Sequence, residues 1–551
     1  MTAAARTPVA APPPGPARGT GASRTHARVR TAHLPAPDGT PLATDICLPA
    51  TPGPHPAVLI RTPYDRRAHR PELRGWAARG FAALAQDVRG RHGSPGTWRP
   101  YHGEAADGAP TVRWVRSQPW SDGRLLAAGA SYAAHCALAL ALDPDPTGGP
   151  SGPGTPDAVL VAVPALDTAH TAREPSGPER LLGRAGWWAA HGDRPDSDEN
   201  ALARALDADP ALLHHLPLTT LPDRLARPLP SWPGVWSPTR RGRLLDAAPT
   251  ARVPLLAVGG THDPFAAETV TLWRRWTGAP ARLLLGPWGH RLTADPGADA
   301  HPKHRLPLGE AYVSWARAAL DGRLDAAPRG AVGLGGSPLW LPAPAHPGEP
   351  SARYGFGRPT GLRLLGAAHF TADPRHPVRS DDLAVPRPPG PRSGDAHPDA
   401  SADRCLLVTA PLPRPLDLLG TARVRLRACA DTPCADWVAR LVALAPDGAA
   451  APLATGVVRR HDPPGRPADL SVPLGPLARR LPAGTRLRLE IAGHHFPAHA
   501  RNPHTGEDPV TATVLHPSRR TLRTEHCALL LPVSRTCGFT AAVDPLQEIS
   551  R

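Results

Sequence analysis

From about residue 29 onward, short apolar runs alternate with polar, Gly- and Pro-rich punctuation. Residues 29–36 and 42–49 flank Pro37-Asp38-Gly39, a pattern that predicts an opening β-hairpin. Further runs of mostly apolar residues follow at 57–61, 81–86, 125–129, 158–164, 253–259 and 281–286. Unbroken apolar runs of this length suit strands buried on both faces of a parallel sheet. Helical spacing at 71–79, 105–117 and 132–142 falls between several of them. Strand alternating with helix predicts a doubly wound α/β sheet.

Two regions break that rhythm. Residues 166–250 carry Arg, Asp, Leu and Trp at helical spacing, with helices expected over 199–207 and 209–216, and predict a helical insertion. Insertions after parallel strands often form caps over active sites. Residues 371–403 are rich in Pro, Asp and Ser and predict a linker or long loop. Beyond Cys405 the texture is all-β, with strands expected over 406–409, 422–428, 437–445, 486–491 and 528–532 and no long helix. That pattern predicts a jelly-roll sandwich. The expected organisation is a disordered tail over 1–28, a catalytic domain over 29–165 and 251–345, a cap over 166–250 and a β domain over 346–551.

Composition narrows the function classes. A chain of 551 residues is too long for one core, and 41% hydrophobic with 20% charged residues fits a globular protein. No run approaches a membrane span, and residues 1–28 lack the apolar stretch of a signal peptide. The formal charge of +15 comes almost wholly from scattered arginines, Lys303 being the lone lysine, so no basic patch points to nucleic acid. Seven cysteines without a CxxC pair argue against a disulfide framework or zinc site and for the cytoplasm. No cofactor is implied, and a homodimer is compatible with the sequence.

Chemistry concentrates at three predicted strand ends. In Gly129-Ala130-Ser131-Tyr132-Ala133 a strand passes through a small-residue turn into a helix, the layout that lifts a serine hydroxyl above a sheet. The usual pattern closes on glycine, and here Ala133 stands in its place. A helix-capping serine is the bland alternative. Asp263 follows the strand at 253–259 and His290 follows the strand at 281–286, giving the order Ser…Asp…His. Histidine can then take the serine proton while aspartate fixes its tautomer. Ser94 precedes Pro95, which has no N–H to donate, and reads as a turn residue. Cys136 reads as a small core residue. His494, His495, His499 and His504 lack a carboxylate or cysteine partner at fixed spacing, so no metal is expected. Trp187, Trp188, Trp232 and Trp236 either line a substrate pocket or pack the cap.

Several ordered blocks make the resemblance specific. They include Asp38-Gly39-Thr40-Pro41-Leu42, Arg61-Thr62-Pro63-Tyr64, Gln86-Asp87-Val88-Arg89-Gly90-Arg91 and Gln118-Pro119-Trp120-Ser121-Asp122-Gly123. The serine turn, Gly259-Gly260-Thr261-His262-Asp263, Gly286-Pro287-Trp288-Gly289-His290 and Arg501-Asn502-Pro503-His504-Thr505-Gly506 continue the series. Over roughly residues 29–535 the chain resembles the CocE/NonD hydrolases, related to Xaa-Pro dipeptidyl-peptidases. The resemblance implies an α/β-hydrolase domain, a helical cap and a C-terminal jelly roll. It also implies that Tyr64 donates its hydroxyl to the oxyanion, joined by the backbone N–H of Tyr132. The leading expectation is an ester or amide hydrolase working through an acyl-enzyme on a small acyl substrate. Release of Xaa-Pro dipeptides is a second reading. A third is an acyl-transferring or catalytically impaired relative in a biosynthetic pathway, suggested by Ala133, Ala134 and the unusual His262.

Overall fold

The computed structural model describes residues 28–142, 152–225, 227–237, 241–344, 351–358, 361–383, 403–534 and 542–551. Residues 1–27 of the expected tail and 384–402 of the expected linker lie outside this set.

The first part of the chain builds a ten-stranded sheet. In chain order its strands are β1 (Val29–Pro35), β2 (Pro41–Cys47), β3 (His55–Thr62), β4 (Ala82–Asp87), β5 (Ser121–Ala130), β6 (Ala158–Ala162), β7 (Leu255–Gly260) and β8 (Ala281–Gly286). A two-stranded ribbon, β9 (Trp288–Gly289) and β10 (Leu292–Pro296), precedes β11 (Arg329–Gly333) and β12 (Trp340–Pro342). The spatial order is β1-β2-β4-β3-β5-β6-β7-β8-β11-β12, parallel from β4 to β11 and antiparallel at both edges. Alternate residues feed opposite cores: Leu59, Leu125 and Ala127 pack on one side, Val58, Ile60 and Leu126 on the other. With both faces covered by helices, alternation of apolar with polar gives way to continuous apolar runs.

Around the sheet lie α1 (Arg70–Ala77), α2 (Glu104–Arg116) and α3 (Tyr132–Leu142), the last buried along its whole length. The insertion after β6 is helical: α4 (Thr168–Ala172), α5 (Leu181–His191), α6 (Ala201–Ala208), α7 (Trp232–Val235) and α8 (Arg243–Ala247). The helix expected over 209–216 is instead a single tight turn, Leu212–His214. Pro210 and Pro217 bracket it and leave no room for more. Then follow α9 (Ala266–Arg275) and α10 (Leu308–Leu320).

The remaining strands form two facing antiparallel sheets over one apolar core, a jelly-roll sandwich. The segment expected to be a loop from residue 371 begins inside the strand His369–Ala372, where Phe370 and Ala372 are buried. Several strands were not foreseen, among them Ala450–Arg460 and the long Ala468–Leu481. The second contains Pro473 and Pro476, residues that argue against a strand when read in sequence. The chain does not end in the sandwich. Helix α11 (Pro545–Ser550), capped by Asp544, returns to the hydrolase sheet, where Ile549 is fully buried and Arg282 donates to the Arg551 carbonyl at 3.1 Å. Among the described residues no helix is long and apolar enough to cross a membrane.

Candidate active site

Because β3, β5, β7 and β8 run parallel, the residues that follow them emerge at the same sheet edge. Tyr64 follows β3, Ser131 follows β5, Asp263 follows β7 and His290 follows β8.

Ser131 has a φ of 56°, a left-handed backbone that costs a non-glycine residue on the order of 1 kcal/mol. Two hydrogen bonds hold it there: its N–H donates to Ala162 at 2.9 Å, and the Ala165 N–H donates to its carbonyl at 3.2 Å. The turn closes tightly enough that a Cβ on Gly129 would lie 2.4 Å from the Ala133 backbone and 2.8 Å from its Cβ. The bare Gly129 therefore accommodates Ala133 where glycine is usual, and helix and strand still meet. Tyr132, fully buried, opens α3. Its hydroxyl donates to Glu104 at 2.8 Å and accepts from the Tyr101 N–H at 2.7 Å. Glu104 is in turn held by Arg61 at 3.1 Å.

The Tyr64 hydroxyl lies 3.3 Å from the Ser131 Oγ and accepts from the Trp187 indole N–H at 3.2 Å. Burial pushes the Tyr64 hydroxyl up to about 12, so it keeps its proton and its capacity to donate.

On the other side of the site, His290 Nδ1 meets Asp263 Oδ1 at 2.6 Å. The second carboxylate oxygen of Asp263 accepts from the Phe265 N–H at 3.1 Å, and the Phe265 ring meets His290 edge-on at 5.7 Å. The aspartate side chain is fully buried, whereas the imidazole is 40% exposed, as a group that must meet a substrate requires. Backbone bonds Thr261→Gly286 and His262→Trp288, at 2.9 and 3.0 Å, tie the two loops together. A Cβ on Gly260 would fall 2.0 Å from the Trp288 carbonyl, so only glycine permits this approach. Among the described residues no hydrogen bond joins His290 to Ser131; such catalytic bonds commonly tighten only once substrate is bound. The unusual His262 pairs with the buried Asp299 at 2.7 Å, and Asp299 also faces Arg479 of the sandwich at 3.6 Å.

The four tryptophans separate. Trp187 stacks on Tyr132 at 5.9 Å and 15°. Trp188, Trp232 and Trp236 are buried in the cap core, with Trp232 donating to the Leu218 carbonyl at 2.7 Å. These three pack the cap instead of facing Ser131.

Sequence reasoning overlooked Arg91. Its side chain is fully buried, has no carboxylate partner among the described residues, and donates from Nε to the Pro63 carbonyl at 2.9 Å. From Nη1 it reaches the carbonyls of His191, Arg194 and Asp196, and from Nη2 the Ser197 hydroxyl. It thus fastens the residue before Tyr64 to the end of α5. Its block was recognisable, but partners that are carbonyls about a hundred positions away leave no sequence trace. His191, buried beside it, packs edge-on to Tyr64 at 5.0 Å, and burial holds its imidazole down to about 3, hence neutral.

Other candidates have structural work. Ser94 accepts from the Ala43 N–H and donates to the Asp87 carbonyl. His499 pairs with Glu174 at 3.0 Å and His504 with the His516 carbonyl at 2.7 Å. Among the described residues no group of three or more His, Cys, Asp or Glu could hold a metal ion.

Comparison with known proteins accords with this fold. Residues 38–291 match the profile of the X-Pro dipeptidyl-peptidase (S15 family), and residues 342–528 match that of the X-Pro dipeptidyl-peptidase C-terminal non-catalytic domain. Cocaine esterase of Rhodococcus sp. (strain MB1 Bresler) is 27% identical over 545 residues, spanning 86% of this chain and 92% of that protein. Among solved structures, an aminopeptidase from the marine sediment archaeon Thaumarchaeota archaeon superposes with a TM-score of 0.69 at 19% identity, over 94% of this chain and 98% of that one. An α-amino acid ester hydrolase superposes with a TM-score of 0.68 at 17% identity, with the same coverage.

Proposed function

From its membership of the CocE/NonD serine hydrolases, we propose that this chain cleaves esters of small, neutral acyl groups through an acyl-enzyme on Ser131. In this reading Ser131 attacks the ester carbonyl as His290 takes its proton, and Asp263 stabilises the resulting imidazolium. Tyr64 and the Tyr132 N–H receive the negative charge that develops on the carbonyl oxygen. His290 then protonates the departing alcohol, and water repeats the sequence on the acyl-enzyme. The observation that carries the catalytic assignment is the meeting of Tyr64 with Ser131, and of Asp263 with His290, at one sheet edge.

Preference for a neutral acyl group is supported by the state of the nearby acids. A free substrate amine needs an unengaged carboxylate. Glu268, five residues beyond Asp263, has its Oε1 paired with Arg180 at 3.1 Å, which balances its charge, while its buried Oε2 has no hydrogen-bond partner among the described residues. Arg180 also holds Glu174, and Arg459 holds Glu179. The match of residues 38–291 to the S15 family keeps dipeptide release as the second reading. Rates on a neutral p-nitrophenyl ester and on Gly-Pro-p-nitroanilide separate the two. The proposal expects the ester to turn over and the dipeptide anilide to be essentially inert; the reverse order contradicts it.

The reading extends to a cytoplasmic enzyme acting on small molecules, with neither nucleic acid nor membrane as partner. Six described cysteines, all unbridged, support the compartment.

A further inference from the structure

Both residues assigned to the oxyanion hole are touched by one side chain of the cap. Trp187 lies on α5, outside the parallel sheet, yet its ring stacks on Tyr132 and its N–H reaches the Tyr64 oxygen at 3.2 Å. Trp98 and Tyr101 pack around the same ring, at 5.6 and 6.5 Å.

The direction of these bonds has a consequence for catalysis. An indole N–H can only donate, so the Tyr64 oxygen must be the acceptor in that contact. A phenol oxygen has two acceptor positions and one proton. With the Trp187 N–H facing one acceptor position, the proton is turned away from the indole and toward Ser131 Oγ, 3.3 Å away. That is the direction in which an oxyanion forms.

We propose that Trp187 is a positioning residue: its indole N–H locks the Tyr64 hydroxyl as a donor toward the reacting carbonyl, so the cap completes the oxyanion hole. The inference rests on Tyr64 acting as oxyanion donor. Trp187 works through Tyr64, and its removal lowers the rate of the chemical step more than it weakens substrate binding. Arg91, which ties Pro63 to the His191 carbonyl at the end of α5, keeps tyrosine and tryptophan in register.

A double-mutant cycle on a small neutral p-nitrophenyl ester tests the proposal. Trp187→Phe keeps an aromatic ring against Tyr132 and removes the N–H, with a smaller ring in its place. Its kcat should fall about tenfold with KM changed by less than about twofold, the pattern of an interaction made in the transition state. Trp187→His, which retains a ring N–H, should keep more of the rate. In a Tyr64→Phe background the Trp187→Phe change should alter kcat by less than about twofold, because the group it orients is gone. Equal losses in both backgrounds, a rise in KM alone, or no change in kcat for Trp187→Phe would each overturn the proposal. A Tyr64→Phe enzyme with unchanged kcat would instead remove the oxyanion reading itself. Circular dichroism on each variant separates these outcomes from loss of fold.

Discussion

The two halves of the proposed site are built in different ways. Asp263 and His290 are 27 positions apart, follow neighbouring strands, and have loops joined by backbone hydrogen bonds. The oxyanion half gathers Tyr64, Ser131 and Trp187 across separations of 67 and 123 positions, from two strands and the cap. The acid–base half therefore depends chiefly on the sheet edge, whereas the oxyanion half also depends on where the cap sits. Damage to the cap should weaken stabilisation of the oxyanion while leaving the proton relay intact.

The sharpest test of the acid–base half is Asp263→Asn. Losing the carboxylate that fixes the His290 tautomer should lower kcat by about 10⁴-fold with the fold unchanged, as steady-state kinetics and circular dichroism will show. Tyr64→Phe probes the other half and should cost about 10²–10³-fold in kcat. Arg91→Lys contacts neither substrate nor nucleophile. It replaces a fork that reaches Pro63 and the end of α5 with a single ammonium, so kcat should drop about tenfold. A loss of similar size in a Tyr64→Phe background would show that Arg91 acts elsewhere and blur the distinction between the halves.

The smallest effect concerns the contact between cap and sandwich. Burial alone would raise Glu174, yet His499 and Arg180 hold it well below the usual carboxylate range. Burial also holds His494 and His495 down to about 3. All three groups have folded values below their unfolded ones, so each contributes stability that is lost as pH falls. For the histidines the loss begins near the unfolded value of about 6.5, and for Glu174 near about 4.3. Thermal unfolding should therefore shift to lower temperature between about pH 6.5 and 4. Hydrogen exchange should rise first in residues 174–182 and 494–502. Uniform exchange across hydrolase core and cap would contradict the unequal dependence argued here.

The same division explains what could be read in advance. Strand ends in a parallel sheet share an edge, so the apolar runs before Ser131, Asp263 and His290 were enough to bring all three together on paper. The helix over 132–142 was legible because an unbroken apolar stretch followed the serine. Trp187 was noticed among four similar tryptophans, and periodicity gave no way to tell a ring facing Tyr64 from rings packing Leu218 and the cap core. Arg91 was hidden for the reason that its acceptors are mostly carbonyls, which every residue carries. The strand Ala468–Leu481 was obscured by prolines, and the return of α11 to the first domain by its brevity.

The claim beneath all of this is that one hydroxyl carries the acyl group, and active-site labelling measures it directly. A fluorophosphonate reagent followed by peptide mass mapping should place a single adduct on Ser131, and Ser131→Ala should fold normally and take up no label. An adduct on another residue, or labelling that persists in Ser131→Ala, would contradict the account.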